Sequence, residues 1–208
     1  MIVILPGWSP LPPGHGPAAG TIAGMRIRLA EVADAEAVRT IYNVEVLETT
    51  NTFDMVPRTL AQQEAWILAH RGVHPAVVAV EEPRPEAQGP PEARNETGAP
   101  LGARNEVILG FGSLSTFRDR SGYSATAENS VYVDGAQRGR GVGQAILAEL
   151  IALASAHGFH SLIARIAGHN EASIGLHQAA GFELVGVERE VARKHRRWID
   201  VVELQRLL

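Results

Sequence analysis

The residues best suited to group-transfer chemistry lie between positions 128 and 143. Glu128 stands at the head of a β-branched, aromatic run, Val131 to Val133, which predicts a buried strand. An Asp-Gly pair ends this run, and positions 138–143 then read Arg-Gly-Arg-Gly-Val-Gly. Strong helix formers follow from Gln144 to Ala154. The pattern predicts a strand, a glycine-rich loop and a helix, with one carboxylate at the start of the strand.

A glycine-rich loop that opens a helix is suited to bind an anion. The unpaired N–H groups of the first helical turn point outward, and the helix dipole adds partial positive charge there. Gly139, Gly141 and Gly143 let backbone amides approach a phosphate, while Arg138 and Arg140 add cationic donors. The loop has neither the Gly-Lys-Ser/Thr ending of nucleoside triphosphatases nor the Gly-x-Gly-x-x-Gly pattern of dinucleotide sites. We therefore expect the loop to bind the pyrophosphate of a ligand other than those that these two kinds of site bind.

The composition fits a single domain and excludes several classes of protein. The chain has 208 residues, 45% of them hydrophobic, with a net charge of −4 and scattered Lys and Arg. We therefore expect no nucleic-acid partner, and no stretch is long and apolar enough to predict a membrane span. The absence of cysteine excludes a disulfide framework, a thiolate metal site and a cysteine nucleophile, and it suits the cytoplasm. We expect no metal.

Pattern and composition divide the chain into three kinds of segment. Residues 1–24 are rich in Pro and Gly and predict a disordered extension, since the apolar start is too short for a signal peptide. Residues 25–208 predict one domain. Within it, residues 82–106 carry charge, Pro and Gly without hydrophobic periodicity, which indicates a mobile insertion in a hairpin.

The order of elements predicted for residues 25–208 is strand, two helices, three strands, helix, strand, helix and two strands. Asp34 is expected to cap the first helix, and Gly158 to end the helix that follows the glycine loop. The last two strands are expected at about 182–189 and 198–206. This order predicts an α/β layer with a mixed sheet.

The strand, Arg138-x-x-Gly141-x-Gly143 and the following helix resemble the acetyl-coenzyme A loop of the GCN5-related N-acetyltransferase (GNAT) family. From about Met25 to Leu208 the chain is similar to the phosphinothricin and methionine sulfoximine/sulfone acetyltransferases of that family. The matching pieces are Ile41-Tyr42-Asn43, Thr52-Phe53, Tyr123-x-x-Thr126-x-Glu128-x-Ser130-Val131-Tyr132-Val133, Asn170, Leu176-His177-x-x-x-Gly181-Phe182 and Lys194-x-x-x-Trp198-x-Asp200. The resemblance implies a mostly antiparallel mixed sheet of about seven strands, about four flanking helices, and a homodimer.

The resemblance also implies roles for two side chains that could move protons. An amine must lose a proton to attack a thioester, and Glu128 matches the family's general base. An arbitrary Glu at the start of a strand is more often a surface carboxylate, but the position of Glu128 just before Val131-Tyr132-Val133 favours the base. His177 matches the position of the acid that protonates the departing sulfur, but a helix histidine beside Leu176 can also be a packed, hydrogen-bonded one.

Two further sets of residues are implied by the resemblance. The acetyl-coenzyme A set is Val131, Tyr132, Val133, Arg138, Gly139, Arg140, Gly141, Val142, Gly143, Asn170 and Ser173, of which Asn170 also suits a helix N-cap. The acceptor set is Phe53, Arg118, Arg120 and Tyr123. The guanidinium groups of the two arginines suit oxyanions. A core anchor for Phe53 and a solvated turn for the arginines are the alternatives. Ser124 stands where methionine sulfone acetyltransferases have a further arginine.

The expected function is direct acetyl transfer from acetyl-coenzyme A to the amino group of a small amino-acid-like acceptor. Phosphinothricin, methionine sulfoximine and methionine sulfone are the acceptors that the resemblance implies. Two alternatives stay open: the same chemistry on a peptide N-terminus or a polyamine, and a coenzyme A-binding sensor without turnover. Arg118 and Arg120 argue against a cationic acceptor, and Glu128 argues against a sensor.

Overall fold

One seven-stranded sheet with four helices forms the framework of the protein. The structure is a computed structural model and describes residues 24–82 and 106–208. The predicted N-terminal extension, up to residue 23, and the predicted insertion, from 83 to 105, lie outside the described residues. The strands are β1 Met25–Leu29, β2 Ala76–Glu81, β3 Ile108–Thr116, β4 Thr126–Val133, β5 Ser161–Ala167, β6 Glu183–Lys194 and β7 Arg197–Leu207. The helices are α1 Ala35–Glu48, α2 Leu60–Ala69, α3 Val142–Ala156 and α4 Glu171–Ala179.

The strands lie in the order β1-β2-β3-β4-β5-β7-β6. Within the described ranges β4 and β5 form the only parallel pair, and α3 makes the crossover between them. The predicted fold class, a mixed and mostly antiparallel sheet with four helices, is therefore confirmed. The predicted order of elements is also confirmed.

Each face of the sheet is covered by helices with an apolar side. On one face α3 buries Ile146, Leu147 and Leu150 completely, and it packs against β2, β3 and β4. Burial of each such side chain contributes about 1.5–3 kcal/mol. On the other face α1 packs its apolar residues against β2 and β3. There the ring of Phe111 on β3 stacks on the ring of Tyr132 on β4. The two cores fix α1 and α3 on opposite sides of β4.

A glycine in β3 lets α3 approach the sheet closely. A Cβ added to Gly112 would lie 2.5 Å from Cγ2 of Ile146 and 2.9 Å from the backbone oxygen of Ser130. Real Cβ atoms do not tolerate such distances, so the position requires glycine. The close contact sets the height of α3, and therefore of the loop that begins it, above the sheet.

Asp34 occupies the N-cap position of α1, as predicted, but its side chain makes no capping hydrogen bond. A 3-10 turn, Val32–Asp34, precedes the helix, and Asp34 itself has a helical backbone. Its carboxylate therefore turns back, accepting from the Glu31 N–H at 2.8 Å and from the Arg28 guanidinium at 2.7 Å and 2.8 Å. The Asp34 side chain ties β1 to the start of the helix and makes no capping bond to α1.

The hairpin of β6 and β7 is longer than predicted. Lys194 pairs with Arg197, so the turn consists of His195 and Arg196, which both have positive φ, at 49° and 64°. Such turns usually contain Asn-Gly or Asp-Gly, and neither pair is present here.

Gly158 has a φ of 78° and ends α3 as predicted. No helix in the described part of the chain is long and apolar enough to cross a membrane.

Candidate active site

The central feature of the site is the separation of β4 from β5. The two strands pair only over three positions, Thr126 to Glu128 against Ser161 to Ile163. Beyond Glu128 they diverge, while β4 stays paired with β3 on its other side and β5 stays paired with β7. The edges of β4 and β5 that face each other therefore keep backbone donors and acceptors free for another molecule.

A cavity of about 430 Å³ occupies the gap between the strands. It is large enough to hold part of an extended ligand. Many of the residues predicted to bind acetyl-coenzyme A line it: Val131, Tyr132, Val133, Arg138, Gly139, Gly141, Val142, Gly143, Asn170 and Ser173. The structure thus brings the strand, the glycine loop and the start of α4 together around one space.

The glycine loop has the backbone geometry of an anion site. Gly139 and Gly141 have φ values of 77° and 80°, which side-chain-bearing residues rarely adopt. Gly141 is the N-cap of α3, so the first N–H groups of the helix are directed toward the cavity end of the loop. A Cβ on Gly143 would approach Leu176 of α4 to 3.3 Å. These residues fit a pyrophosphate at the helix start.

Glu128 lies at the last paired position before the strands diverge. Its side chain is half-buried, and burial raises the pKa of this carboxyl above its usual value. Arg165 on β5 acts in the opposite direction, and Glu203 on β7 raises the pKa of Glu128 further. A carboxylate with a raised pKa at the junction of the strands is a good proton acceptor near neutral pH.

His177 lies on α4 with only 3% of its surface exposed, and it lines the cavity. Nδ1 lies 2.8 Å from the backbone oxygen of Ser173, and Nε2 lies 2.9 Å from Nδ2 of Asn129. Burial lowers the pKa of His177, which favours the neutral ring. Both ring nitrogens are therefore occupied by protein groups. Asn170 caps α4 by accepting from the Ser173 N–H at 3.1 Å, as its predicted N-cap role requires.

Glu45, at the end of α1, is a cavity residue that the sequence reasoning missed. Only 4% of its surface is exposed. One carboxylate oxygen accepts from Arg138 at 2.5 Å, and the other accepts from Thr49 at 2.7 Å and Asn51 at 2.9 Å. This carboxylate therefore links the glycine loop to the segment that follows α1.

Other residues of the predicted site lie outside the cavity lining, and Glu128 is one of them. Arg140 is half-exposed, donates to Gln137 and approaches Glu81 at 3.5 Å. The predicted acceptor residues Arg118, Arg120 and Tyr123 are exposed in the connection between β3 and β4, and Phe53 is 37% exposed. The Arg118 guanidinium lies 5.3 Å from the centroid of the Tyr123 ring. The connection leads into β4 just before Glu128, at the end of the strand away from the glycine loop.

Two signals in the sequence could have revealed missed cavity residues. Glu45 falls seven positions after Val38 on the buried stripe of α1, where an apolar residue is expected. Arg165 interrupts the apolar run of β5 and also lines the cavity, with Glu188 as its ion-pair partner. A charged residue within an apolar stripe or run often marks a functional or structural contact, although Glu45 is buried and Arg165 is exposed. Asn129, which also lines the cavity, carries no such signal.

The chain is similar to known acetyltransferases over most of its length. Residues 101–202 match the family "Acetyltransferase (GNAT) domain". An L-methionine sulfoximine/L-methionine sulfone acetyltransferase of Pseudomonas paraeruginosa is 37% identical over 182 residues, covering 86% of this chain and 92% of the relative. A phosphinothricin N-acetyltransferase of Streptomyces coelicolor is 34% identical, covering 89% of this chain and 98% of the relative.

A solved structure shows the same likeness in three dimensions. It is a GNAT superfamily phosphinothricin acetyltransferase of Sinorhizobium meliloti in complex with acetyl-coenzyme A. The TM-score is 0.74 at 33% sequence identity, with 89% of each chain covered. Fold similarity and sequence similarity therefore cover equally large shares of the chain.

Glu45→Gln tests the hydrogen bonds by which Glu45 links α1 to the glycine loop. A glutamine turns an N–H group toward Arg138 or Asn51, so at least one buried hydrogen bond is lost. We expect a loss of about 1–3 kcal/mol in the free energy of unfolding, measured by urea denaturation. Glu48→Gln, on the exposed side of the same helix end, should change it by less than about 0.5 kcal/mol. Equal effects of the two substitutions would contradict a special role for Glu45.

Proposed function

The chain belongs to the GNAT acetyltransferase family and is an N-acetyltransferase, and we propose that it transfers acetyl from acetyl-coenzyme A to the amino group of a small amino-acid-like acceptor. The observation that carries the proposal is the cavity between the diverging strands, which is lined by the glycine loop and begins next to Glu128, the last paired position of β4. Phosphinothricin, methionine sulfoximine and methionine sulfone are the acceptors that its relatives' names indicate. Acetyl-coenzyme A is a metabolite of the cytoplasm, where we propose that the enzyme works.

The residues of the cavity fit each part of a coenzyme A thioester. The helix start at Gly141 and the open backbone of residues 139–143 suit the pyrophosphate. The free edge of β4 suits the amides of the pantetheine arm, with Val131 and Val133 supplying the backbone groups. When bound, the thioester supplies an activated acyl carbon. An arm laid along β4 from the loop leads toward Glu128.

Glu128 is the proposed general base. The acceptor's ammonium must give up a proton, which passes to the Glu128 carboxylate directly or through a water. The amine nitrogen then forms a bond to the acyl carbon, and the bond from that carbon to sulfur breaks, so the electron pair leaves with the thiolate. The second proton that the nitrogen loses passes to this thiolate directly or through solvent, which gives the free thiol. The raised pKa of Glu128 brings it closer to the pKa of an α-amino group, which makes the proton transfer easier.

Glu128→Gln separates catalysis from binding. We expect kcat to fall by about 10²–10⁴-fold, because the amine loses its proton acceptor, while the Kd for coenzyme A changes by less than about twofold. The pKa of Glu128 is raised in the folded protein, so the ionised form costs stability above the pKa of the unfolded chain. Gln should therefore leave Tm at pH 7 unchanged or higher.

Turnover and coenzyme A affinity can be measured by thiol release and isothermal titration calorimetry, and Tm by differential scanning calorimetry. For the native enzyme, kcat/KM should decrease as the pH falls through the raised pKa of Glu128, because the protonated carboxyl accepts no proton. Unchanged turnover in the Glu128→Gln variant at neutral pH would show that Glu128 is not the base.

A panel of acceptors tests the proposed function itself. Thiol release from acetyl-coenzyme A is followed with phosphinothricin, methionine sulfoximine, methionine sulfone, ordinary amino acids, spermidine and a peptide that begins with alanine. We expect saturable release with at least one of the first three, because the exposed Arg118 and Arg120 suit an oxyanionic acceptor. Release only with spermidine or the peptide would overturn the acceptor class, and binding of coenzyme A without any release would support a sensor.

We also propose that the protein is a homodimer that buries the hairpin of β6 and β7. β6 is an edge strand, and large apolar residues of the hairpin are exposed: Leu184, Val185, Val187, Val191 and Trp198. Trp198 is 59% exposed, so it is not a core residue. Exposed apolar residues along an edge strand favour pairing with a second copy, although β6 also carries charged residues. Native mass spectrometry should give a species of twice 22.3 kDa, and Val187→Lys should convert it to a monomer. A native protein that stays monomeric at micromolar concentration would contradict this proposal.

A further inference from the structure

A hydrogen-bonded chain of three residues forms the wall of the cavity beside α4. The backbone oxygen of Ser173 lies 2.8 Å from Nδ1 of His177, and Nε2 of the same ring lies 2.9 Å from Nδ2 of Asn129. Asn129 and His177 are 4% and 3% exposed. All three residues line the cavity. The chain of hydrogen bonds therefore runs from the backbone of α4 to a side chain of β4.

The contacts define which ring nitrogen carries the proton. A backbone oxygen can only accept a hydrogen bond, so Nδ1 of His177 must carry hydrogen. In the neutral ring Nε2 then has a lone pair, and it accepts from the amide N–H of Asn129. The other possibility is a charged imidazolium facing the oxygen of a reversed Asn129 amide. Burial opposes it, because it lowers the pKa of His177.

This arrangement leaves one buried atom without a partner. Oδ1 of Asn129 is shielded from solvent and has no hydrogen-bond donor among residues 24–82 and 106–208. A buried oxygen without a donor is costly to a protein, and such atoms commonly find their partner in a ligand. Because Asn129 lines the cavity, a molecule in the cavity is the nearest source of that donor, and it reaches Oδ1 once the side chains that cover this oxygen move aside.

We propose that Oδ1 of Asn129 accepts a hydrogen bond from an amide N–H of the pantetheine arm, and that His177 is the positioning residue that holds the Asn129 amide in this orientation. The pantetheine arm carries amide N–H groups, and the strand edge that contains Asn129 is the one left open toward β5. The inference rests on the proposed use of a coenzyme A thioester. It gives His177 a role other than proton donation, because the neutral ring in this orientation has no N–H directed at the sulfur.

Binding of coenzyme A and of adenosine 3′,5′-bisphosphate, which lacks the pantetheine arm, tests the contact. Asn129→Leu removes the acceptor oxygen at similar volume. By isothermal titration calorimetry it should weaken coenzyme A binding about fivefold, the factor of one ordinary hydrogen bond, and leave the bisphosphate unaffected. Unchanged coenzyme A binding in Asn129→Leu, or equal weakening for both ligands, would overturn the inference.

The histidine ring can be observed directly in the native protein, so the test does not depend on a variant that folds. In nitrogen-15 NMR spectra, with His177→Gln used for assignment, Nδ1 should appear protonated and Nε2 unprotonated from about pH 6 to 8. An Nε2–H tautomer or an imidazolium at pH 7 would contradict the proposed orientation. Failure of the native protein to bind coenzyme A would instead contradict the proposed function, so the two failures are distinguishable.

Discussion

The site depends on one break in the hydrogen bonding of the sheet. β4 and β5 pair up to Glu128 and Ile163 and then separate, although each remains paired with its other neighbour. Unpaired backbone groups inside a sheet are costly unless something else satisfies them. A ligand that carries amide groups can form hydrogen bonds with the backbone groups that the separation leaves free. The separation also places the half-buried Glu128 where the gap begins and the glycine loop where β4 ends.

Buried charges hold the walls of the gap in place. Glu45 is bonded to Arg138 of the loop, and the backbone oxygen of Glu45 accepts from Nζ of Lys194 at 3.1 Å. Lys194 is only 2% exposed and also donates to the backbone oxygen of Thr52 at 2.9 Å. Burial lowers the pKa of this ammonium, because water no longer solvates its charge. Three distant parts of the chain, α1, the loop and the β6–β7 hairpin, are thus joined beside the cavity.

Much of this architecture could be predicted from the sequence, because the elements that form the gap have clear local signals. The apolar run of β4 and the helix formers of α3 gave nearly the observed bounds, and the glycine loop lies between them. The length of the β6–β7 hairpin could not be predicted, since its turn is His-Arg and its edge strand is charged and exposed. Backbone pairing rather than side-chain pattern extends those strands.

The site was less predictable than the fold, because its side chains act through contacts distant in sequence. Glu45 and Arg138 are 93 positions apart, and Asn129 and His177 are 48 apart. The motif around Glu128 locates the first position of the gap, but it does not show which residues face the gap. The roles of the predicted site residues stay predictions, and Glu128, Arg118, Arg120, Tyr123 and Phe53 also lie outside the cavity lining.

Hydrogen exchange with and without acetyl-coenzyme A tests the central claim most directly, namely that the arm lies along the free edge of β4 and the pyrophosphate lies on the loop. The account predicts that bound ligand slows exchange at residues 129–133 and 139–143, while the amides of β6 change little. Protection confined to other parts of the sheet, in a protein that measurably binds the ligand, would contradict it.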